Sequence, residues 1–183
     1  MKGIIFTILE NFIVENYGDE KYETILEKCN LETKEPFISS GTYPDGDLIE
    51  MVVKSAEDLK ITVDQTLQAF GKYAFHQLAK LMPMFVDKYS DPKEFLKSVE
   101  GIIHVEVNKL YKDAITPKFT YTDTGPNELV ITYFSARKLY ALMEGLLEGV
   151  SEYFKVPIQQ SKKIYSKDGQ EFCDFEIVFL TNK

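Results

Sequence analysis

The first half of the chain alternates apolar and polar residues with the three- and four-residue spacing of amphipathic helices. This spacing predicts a helix over about residues 4–17, ended by Gly18 as its C-cap, and a second over 18–30 with acidic residues in its first turn. Further helices are predicted over residues 47–59, 62–80 and 91–112, with Thr62 or Asp64 as the cap of the middle one. The N-terminal half is therefore expected to be wholly helical.

The second half changes to the two-residue period of β-strands. KFTYTDTG and NELVITYF alternate on either side of a Gly-Pro-Asn turn, and residues 156–180 form two similar runs around an Asp-Gly turn. Between these hairpins, residues 135–155 carry the apolar stripe of a long helix, with Ser135 as its N-cap. The order predicts an α+β fold, in which a helical N-terminal half packs on a C-terminal half with an antiparallel sheet of about four strands and a long helix.

Composition narrows the range of functions. With 44% hydrophobic residues among 183, the chain reads as an ordinary globular sequence of a length typical of one domain. Its formal net charge of -8, without a basic cluster, argues against binding to nucleic acid or to an anionic membrane surface. No apolar run approaches membrane-spanning length, and the two distant cysteines, Cys29 and Cys173, fit a reducing compartment. A cytoplasmic location is therefore expected.

His104, one of two histidines, lies in the mostly apolar helical stretch IIHVEVNKLY. It shares a helix face with Ile103, Val107, Leu110 and Tyr111, so this face is expected to be buried or to line a pocket. The commonest role of such a histidine is that of a hydrogen-bonded core residue. A neutral imidazole on the wall of an apolar pocket is also what haem iron needs as a proximal ligand. The residues themselves leave both roles open.

A second candidate is the triplet Tyr133-x-Ser135-x-Arg137, where a predicted strand gives way to a helix. Alternate strand residues point to the same side, so two hydroxyls and a guanidinium can meet at a helix N-terminus, which favours anions. In the plainer interpretation Tyr133 packs, Ser135 caps the helix and Arg137 is solvated. Binding would need a ligand with carboxylates or phosphates, and a haem carries two propionates.

Together, His104 and the triplet resemble the haem nitric oxide/oxygen-binding (H-NOX) family, relatives of the haem domain of soluble guanylate cyclase. Similar segments run in order along nearly the whole chain: MKGIIF, AFGKYAF, IIHVEVNKLY, TYFSARKLY and EGLLEG. The triplet alone is a weak pattern, but with a histidine about thirty residues upstream it is specific, and the length suits a stand-alone bacterial member. The resemblance implies one domain that binds haem b without a covalent bond, with a helical subdomain over about residues 1–65 and the haem-ligand helix and sheet over about 66–183.

The resemblance assigns roles to particular residues. It makes His104 the proximal iron ligand and gives the propionates to Tyr133, Ser135 and Arg137. Pro117 matches a family proline that presses on the porphyrin and distorts it, although it would also end a helix. Ile5 matches a residue that packs on the haem, and it would serve equally well as plain core.

The resemblance also bears on which gas is bound. Family members that bind O2 stably carry a distal tyrosine five residues after the arginine of the triplet, and that position is Leu142 here. The other expected distal residues are apolar as well: Leu9, Ala74 and Leu78. Because iron-bound O2 benefits from a hydrogen-bond donor and NO does not, the pocket is expected to select NO and CO over O2. Tyr140 is expected to face elsewhere, while an influence of Tyr73 or His76 on the distal side stays open.

The mechanism implied by the family begins when NO binds opposite His104 and breaks the iron–histidine bond. The helix that carries His104 is then free, the porphyrin flattens away from Pro117, and the helical half shifts against the sheet half, flexing near Gly71. Without a catalytic group of its own, the chain is expected to be no enzyme and to signal to a partner, a histidine kinase or a diguanylate cyclase. No zinc site is expected, because the last hairpin holds only Cys173.

Two other functions are compatible with the same residues. One is an O2-sensing or redox-sensing haem protein, which a stable oxygen complex of the reduced protein in air would reveal. The other is a module without haem that uses the pocket for a different carboxylate ligand or for a partner. That module would be purified without the Soret absorption band of haem, and replacing His104 would not change its colour.

Overall fold

The computed structural model describes residues 1–111 and 113–180. Within these residues, helices come first, a four-stranded antiparallel sheet comes last, and a long helix connects its two hairpins. The helices are α1 Gly3–Tyr17, α2 Asp19–Lys28, α3 Asp45–Leu59, α4 Val63–Leu81, α5 Pro92–Ser98, α6 Val105–Leu110 and α7 Tyr140–Phe154. The strands are β1 Lys118–Gly125, β2 Glu128–Phe134, β3 Ile158–Lys167 and β4 Gln170–Phe179. The predicted α+β fold is confirmed.

The N-terminus of α4 is fixed by a capping box. The Oγ1 of Thr62 accepts the backbone N–H of Gln65 at 3.1 Å, and the Oε1 of Gln65 accepts the backbone N–H of Thr62 at 2.9 Å. These two bonds satisfy amides that the first turn of a helix leaves without a partner. Of the two predicted caps, Thr62 is therefore the one used, and Asp64 lies inside the first turn.

The helix predicted over residues 91–112 is interrupted. Helix α5 gives way to a π-helical segment, Val99–His104, and α6 then ends at Leu110. The predicted end at Lys112 lies outside the described residues. Where the turn widens, the backbone N–H of Glu100 donates to the Oη of Tyr121 in β1 at 3.2 Å. The prediction of one regular helix was wrong because sequence periodicity does not register a hydrogen-bond partner supplied by the sheet.

Helix α7 begins at Tyr140 rather than at residue 135. The residues between form a turn in which Lys138 has the left-handed φ of 51° and donates its backbone N–H to the carbonyl of Ser135 at 3.2 Å. The Oγ of Ser135 accepts the backbone N–H of Arg137 at 3.2 Å. Because a left-handed residue cannot continue an α-helix, the helix starts after this turn. The prediction of Ser135 as its N-cap was wrong, and Ser135 caps the turn instead.

The sheet has the strand order β1-β2-β4-β3, with all neighbouring strands antiparallel. The two hairpins meet through β2 and β4, where Tyr133 lies opposite Cys173. The second hairpin turns at Asp168 and Gly169, whose φ angles of 52° and 74° suit the predicted Asp-Gly turn. This order places the end of β2, where the triplet begins, in the centre of the sheet.

Two clusters of buried side chains fill the molecule. The helical core includes Phe6, Leu9, Leu48, Met51, Phe70 and Ala74. The sheet core includes Phe75, Leu129, Ile131, Met143, Leu147 and Phe175. Helices α4 and α7 contribute side chains to both cores. The division into subdomains at about residue 65 stays a prediction, because these two helices join the cores.

Helices α4 and α7 pack with their backbones in contact. A Cβ atom at Gly145 would lie 2.0 Å from the carbonyl oxygen of Gln68, and one at Gly71 would lie 2.3 Å from the carbonyl oxygen of Leu142. Close-packed interiors cannot absorb an atom at such distances without separating the two helices. Glycine is therefore required at both positions for this contact.

Candidate functional site

A cavity of about 580 Å³ lies between the two cores. Its volume falls within the range of about 300–1,000 Å³ that is typical of small-molecule and cofactor sites. The side chains that α4 and α7 contribute to its wall are all apolar: Phe75, Leu78, Ala79, Leu142, Met143, Leu146, Leu147 and Val150. Polar groups on other parts of the wall include Asp45, His104, Tyr133, Ser135 and Arg137. The cavity thus combines a long apolar wall with a few polar side chains that can orient a ligand.

His104 lines this cavity at the end of the π-helical segment, and its side chain is only 14% exposed. Its Nδ1 lies 2.8 Å from the Oε2 of Glu100, one turn earlier. A carboxylate can only accept a hydrogen bond, so in the neutral ring Nδ1 carries the hydrogen and Nε2 keeps a free lone pair. The imidazole therefore has the tautomer that a metal ligand bound through Nε2 requires.

One aromatic side chain, Phe119, links His104 to Tyr133 of the triplet. The ring of His104 lies 5.1 Å from that of Phe119 in β1, measured between centroids, and Phe119 lies 5.8 Å from Tyr133 in β2. All three rings line the cavity. The sheet therefore brings together two candidates that are far apart in sequence.

Tyr133 and Ser135 lie at the end of β2. Tyr133 is 5% exposed, and this burial raises the pKa of its hydroxyl, although hydrogen bonds with Ser135 and the backbone of Leu139 act in the opposite direction. The hydroxyl is consequently neutral and remains able to donate a hydrogen bond. The predicted proximity of Tyr133 and Ser135 at the cavity is what the structure shows.

The plainer interpretation expected Arg137 to be solvated, but protein groups bind its guanidinium. Its Nε donates to the Oδ2 of Asp45 at 2.6 Å, and its Nη1 donates to the carbonyl of Ile115 at 2.6 Å. The other carboxylate oxygen of Asp45 lies 2.7 Å from the amino group of Met1. Burial alone would raise the pKa of Asp45, but the hydrogen bonds from Arg137 and from that amino group hold it below its ordinary value. Arg137 is thus a carboxylate-binding group at the cavity wall.

The remaining predicted site residues divide into two groups. Ile5 and Pro117, expected to pack on the haem, both line the cavity, as do the distal candidates Leu78 and Leu142. Leu9 and Ala74, the other distal candidates, belong to the helical core and are not among the described residues that line the cavity. Leu78 and Leu142 therefore lie on the cavity wall, whereas Leu9 and Ala74 do not.

Three side chains near the predicted distal positions lie away from the cavity. The sequence predicts that Tyr140 faces elsewhere, and it leaves the influence of Tyr73 and His76 open. The hydroxyl of Tyr140 donates to the Oε1 of Glu171 at 2.7 Å. Tyr73 packs against Phe12 in the helical core, with ring centroids 5.4 Å apart. The Nε2 of His76 lies 3.0 Å from the Oε2 of Glu152 in α7. None of the three is among the described residues on the cavity wall.

Sequence reasoning missed two residues of the site. Asp45, in a turn-rich stretch, reaches Arg137 only through the tertiary fold, and nothing in its local sequence signals that contact. Glu100 had a signal, because it precedes His104 by four residues and such pairs meet on a helix. Both residues are carboxylates that pair with a candidate ligand-binding group.

These groups fit a haem. A haem needs an imidazole for its iron, an apolar slot for its porphyrin and cationic or hydroxyl groups for its propionates. His104 supplies the first, with Nε2 free, and the wall from α4 and α7 supplies the second. Arg137 already binds a carboxylate, that of Asp45, and a propionate presents the same group.

Among the residues that the structure describes, no three His, Cys, Asp or Glu side chains are grouped so that they could hold a metal ion. Cys173 is buried, Cys29 is half-buried, and both are free thiols. None of the described helices is both long enough and apolar enough to cross a membrane. The expected absence of zinc stays a prediction.

Comparison with protein families and curated sequences gives consistent matches. The family model described as Haem-NO-binding (HNOB) matches residues 2–162. Soluble guanylate cyclase gcy-32 of Caenorhabditis elegans is 23% identical over an alignment that covers 100% of this chain and 28% of that protein, and gcy-34 is 22% identical with the same coverage. The chain therefore spans little more than a quarter of the length of these curated relatives.

Comparison with solved structures gives similar folds. The H-NOX protein from K. algicida, as Fe(II) and unliganded, has a TM-score of 0.90 at 29% identity, with 100% of this chain and 98% of that chain covered. An H-NOX protein from S. oneidensis in the Fe(II)NO ligation state has a TM-score of 0.90 at 30% identity, with coverage of 99% and 100%. The similarity in fold thus extends over essentially the whole chain.

Proposed function

The chain belongs to the haem-NO-binding (H-NOX) family, and from this premise we propose that it is an NO sensor that carries a non-covalently bound haem b. H-NOX domains are haem-binding gas sensors related to soluble guanylate cyclase, and they pass a signal to partner proteins rather than catalyse a reaction. One observation carries the proposal for this chain. His104 stands on the wall of an apolar cavity with its Nδ1–H bound to a carboxylate and its Nε2 left for a metal.

Different residues of the chain would hold different parts of the cofactor. His104 would bind the iron through Nε2, while Tyr133, Ser135 and Arg137 would hold the propionates. The Arg137–Asp45 pair supports this assignment, because it is a carboxylate bound by the same guanidinium. Ile5 and Pro117, which line the cavity, would pack against the porphyrin. When bound, the haem supplies a ferrous iron to which a diatomic gas can attach.

The apolar wall supports selection of NO and CO over O2. Leu78 and Leu142 line the cavity, and no described side chain of α4 or α7 on that wall carries a hydrogen-bond donor. Bound O2 gains more from a donor than NO does, so a wall without donors lowers the relative affinity for O2. Leu9 and Ala74 would act indirectly, by packing α1 against α4 in the helical core and so fixing the position of α4 at the wall.

The signal would leave through the segment that carries His104. Along Val99–Leu110, no described residue is fully buried, and Val99 and Ile103 are the partly buried residues that pack against the sheet core. Such limited packing offers little resistance to displacement. Release of His104 from the iron would let the segment move, with the helical half shifting against the sheet half and flexing near Gly71. NO must favour the released form for this to transmit a signal. We propose a histidine kinase or a diguanylate cyclase in the cytoplasm as the receiving partner.

An absorption spectrum of the purified, reduced protein tests this function. We expect a Soret band in the wild type, no stable oxygen complex in air, and, with NO, the spectrum of a ferrous nitrosyl haem that has lost its histidine ligand. A stable oxygen complex would contradict the gas selectivity. A protein without a Soret band, whose colour is unchanged in His104→Gly, would contradict the haem assignment altogether.

The two variants Leu142→Tyr and Leu142→Phe form a matched pair for the distal wall. Their side chains differ by one hydroxyl, so both change the wall in size while only tyrosine adds a donor. We expect the tyrosine variant to hold O2 at least about tenfold more tightly than the phenylalanine variant, because one hydrogen bond contributes about 1.4 kcal/mol or more in a dry site. Equal O2 affinity in the two variants would contradict the role of the missing donor.

A further inference from the structure

The closest polar neighbour of His104 is Glu100, on the π-helical segment one turn earlier. The two side chains are joined by the 2.8 Å bond from the ring Nδ1–H to Oε2. The histidine is 14% exposed and the glutamate 34%, so the bond is partly shielded from water. Hydrogen bonds to an ionised acceptor are about twice as strong as neutral ones, and partial burial preserves that strength.

The strand β1 holds Glu100 in place. The backbone N–H of Phe119 donates to the same Oε2 atom at 3.2 Å. In addition, the backbone N–H of Glu100 donates to the Oη of Tyr121 at 3.2 Å. Both the carboxylate and the backbone of Glu100 are thus fixed by the sheet. The acceptor for His104 is therefore set in position by β1 rather than by the helical segment alone.

This arrangement has two consequences for the imidazole. A fixed acceptor at Nδ1 selects the tautomer with a free lone pair on Nε2 and restricts rotation of the ring. A negative charge on that acceptor also draws the Nδ1 proton, which makes Nε2 a stronger donor to a metal. A strong donor resists loss of the iron–histidine bond, and loss of that bond is the proposed signal.

We propose that Glu100 is the positioning residue of His104: anchored on β1, its carboxylate fixes the ring tautomer and strengthens the iron–histidine bond, and so sets how readily NO releases the histidine. This inference rests on the proposed haem function. The side chain of Glu100 contacts the ring of His104 and the backbone of Phe119, and its backbone contacts Tyr121. Glu100 need not touch the ligand in the cavity to have this effect. The strength of the iron–histidine bond would then depend partly on the sheet.

The test compares Glu100→Gln with Glu106→Gln. Glutamine keeps the shape of the side chain and removes its charge, and Glu106 is a matched control because its ion pair is with Lys109, at 2.7 Å. In the haem-loaded, reduced protein, we expect Glu100→Gln to lower the iron–histidine stretching frequency measured by resonance Raman spectroscopy. We also expect NO to displace the histidine about tenfold faster, because loss of such a partner typically weakens metal binding by about tenfold or more. The Glu106→Gln protein should match the wild type in both.

A second measurement needs no haem. In the haem-free protein, ¹⁵N NMR at a pH where the ring is neutral should show His104 in the single Nδ1–H tautomer. An amide can accept or donate, so Glu100→Gln should populate both tautomers.

A third variant, Glu100→Asp, is measured in the haem-loaded protein. It keeps the charge but shortens the side chain, and it should give an iron–histidine stretching frequency between those of the wild type and the glutamine variant.

The outcomes separate the two proposals. A wild type without a Soret band overturns the haem function, and the tautomer measurement then decides the Glu100–His104 contact by itself. If haem binds but the stretching frequency, the rate of histidine loss and the tautomer are the same in Glu100→Gln as in the wild type, the role of Glu100 is overturned while the haem function stands. A change of equal size in Glu106→Gln would also overturn it, because the effect would then be one of general charge.

Discussion

Two helical regions face the cavity and are built in opposite ways. Helices α4 and α7 contribute side chains to both cores and touch through glycines whose missing Cβ atoms would collide with backbone. Along Val99–Leu110, the segment that carries His104, no described residue is buried, and Ile102 and Leu110 are 40% and 66% exposed. One wall of the cavity is thus anchored in the cores, and the other is anchored at few points.

Under the proposed function, this difference separates the part of the domain that holds a ligand from the part that responds to it. A wall that excludes polar groups from a bound gas must keep its shape, and the shared cores of α4 and α7 give it that stiffness. A wall that reports a broken bond must move at low cost, which requires few buried contacts. In the proposed mechanism, the fold assigns these two requirements to different elements. The first three of the following predictions test that division, and the fourth concerns a surface ion pair outside it.

Native-state hydrogen exchange should show the largest contrast. Amides of α4 and α7 should exchange only when the molecule opens widely, whereas those of Val99–Leu110 should exchange by local opening. We expect a difference in exchange rate of about a thousandfold, or about 4 kcal/mol in opening free energy. Peptide-resolved mass spectrometry of the haem-free protein measures it. Equal protection in the two regions would contradict the comparison.

A matched pair of leucines should show the next largest effect. Leu67 in α4 is 6% exposed and belongs to the helical core, while Leu110 at the end of α6 is 66% exposed. We expect Leu67→Ala to lower the free energy of unfolding by about 3 kcal/mol, since it removes buried contacts and leaves a cavity. Leu110→Ala should change it by less than about 0.5 kcal/mol. Urea unfolding measures both, and similar losses would show that the segment is better packed than its exposure indicates.

A matched pair of glycines should show a smaller difference. In Gly145→Ala the new methyl would meet the carbonyl of Gln68, so we expect a loss of about 2 kcal/mol in unfolding free energy. Around Gly101, in the π-helical segment, a Cβ would meet no atom within 4 Å. Gly101→Ala should therefore be neutral or stabilise the protein by up to about 1 kcal/mol. If the two substitutions have equal effects, the backbone contact of α4 and α7 is not the rigid feature proposed.

The smallest effect is expected from a surface ion pair outside both regions. Asp58 in α3 accepts bonds from Lys21 and Lys28 in α2, each at 2.6 Å, and these bonds lower its pKa from 3.8 to about 2. A carboxylate with a depressed pKa adds stability above its unfolded-state pKa and loses it as the pH falls towards 2. We expect Asp58→Asn to lower stability above about pH 4 by less than about 1 kcal/mol and not at all near pH 1, below both pKa values. A loss of the same size at both pH values would rule out the ion pair as its cause.

Much of the fold and part of the site could be predicted from the sequence. Apolar spacing was sufficient to predict the helices and hairpins, because each element buries one face and its apolar residues therefore recur with the period of a helix or a strand. Apolar spacing failed at two places near the site, the segment that carries His104 and the turn that precedes α7. At the interruption over Val99–His104, a backbone N–H bonds the hydroxyl of Tyr121, and before the late start of α7 stands a left-handed residue, Lys138. Both are local departures that a periodic pattern does not contain.

The sequence by itself determined most of the element types and made His104, Tyr133, Ser135 and Arg137 candidate ligand-binding residues, while their roles came only from the family resemblance. The element types depend on residue type and on spacing along one element. Only the tertiary structure decided which groups accompany those ligands, since the carboxylate of Asp45 meets Arg137 and the backbone of Phe119 meets Glu100 across distances in sequence that no local rule spans. The protonation state of an imidazole and the partner of a guanidinium are set by neighbours in space, and neighbours in space are a product of the whole fold.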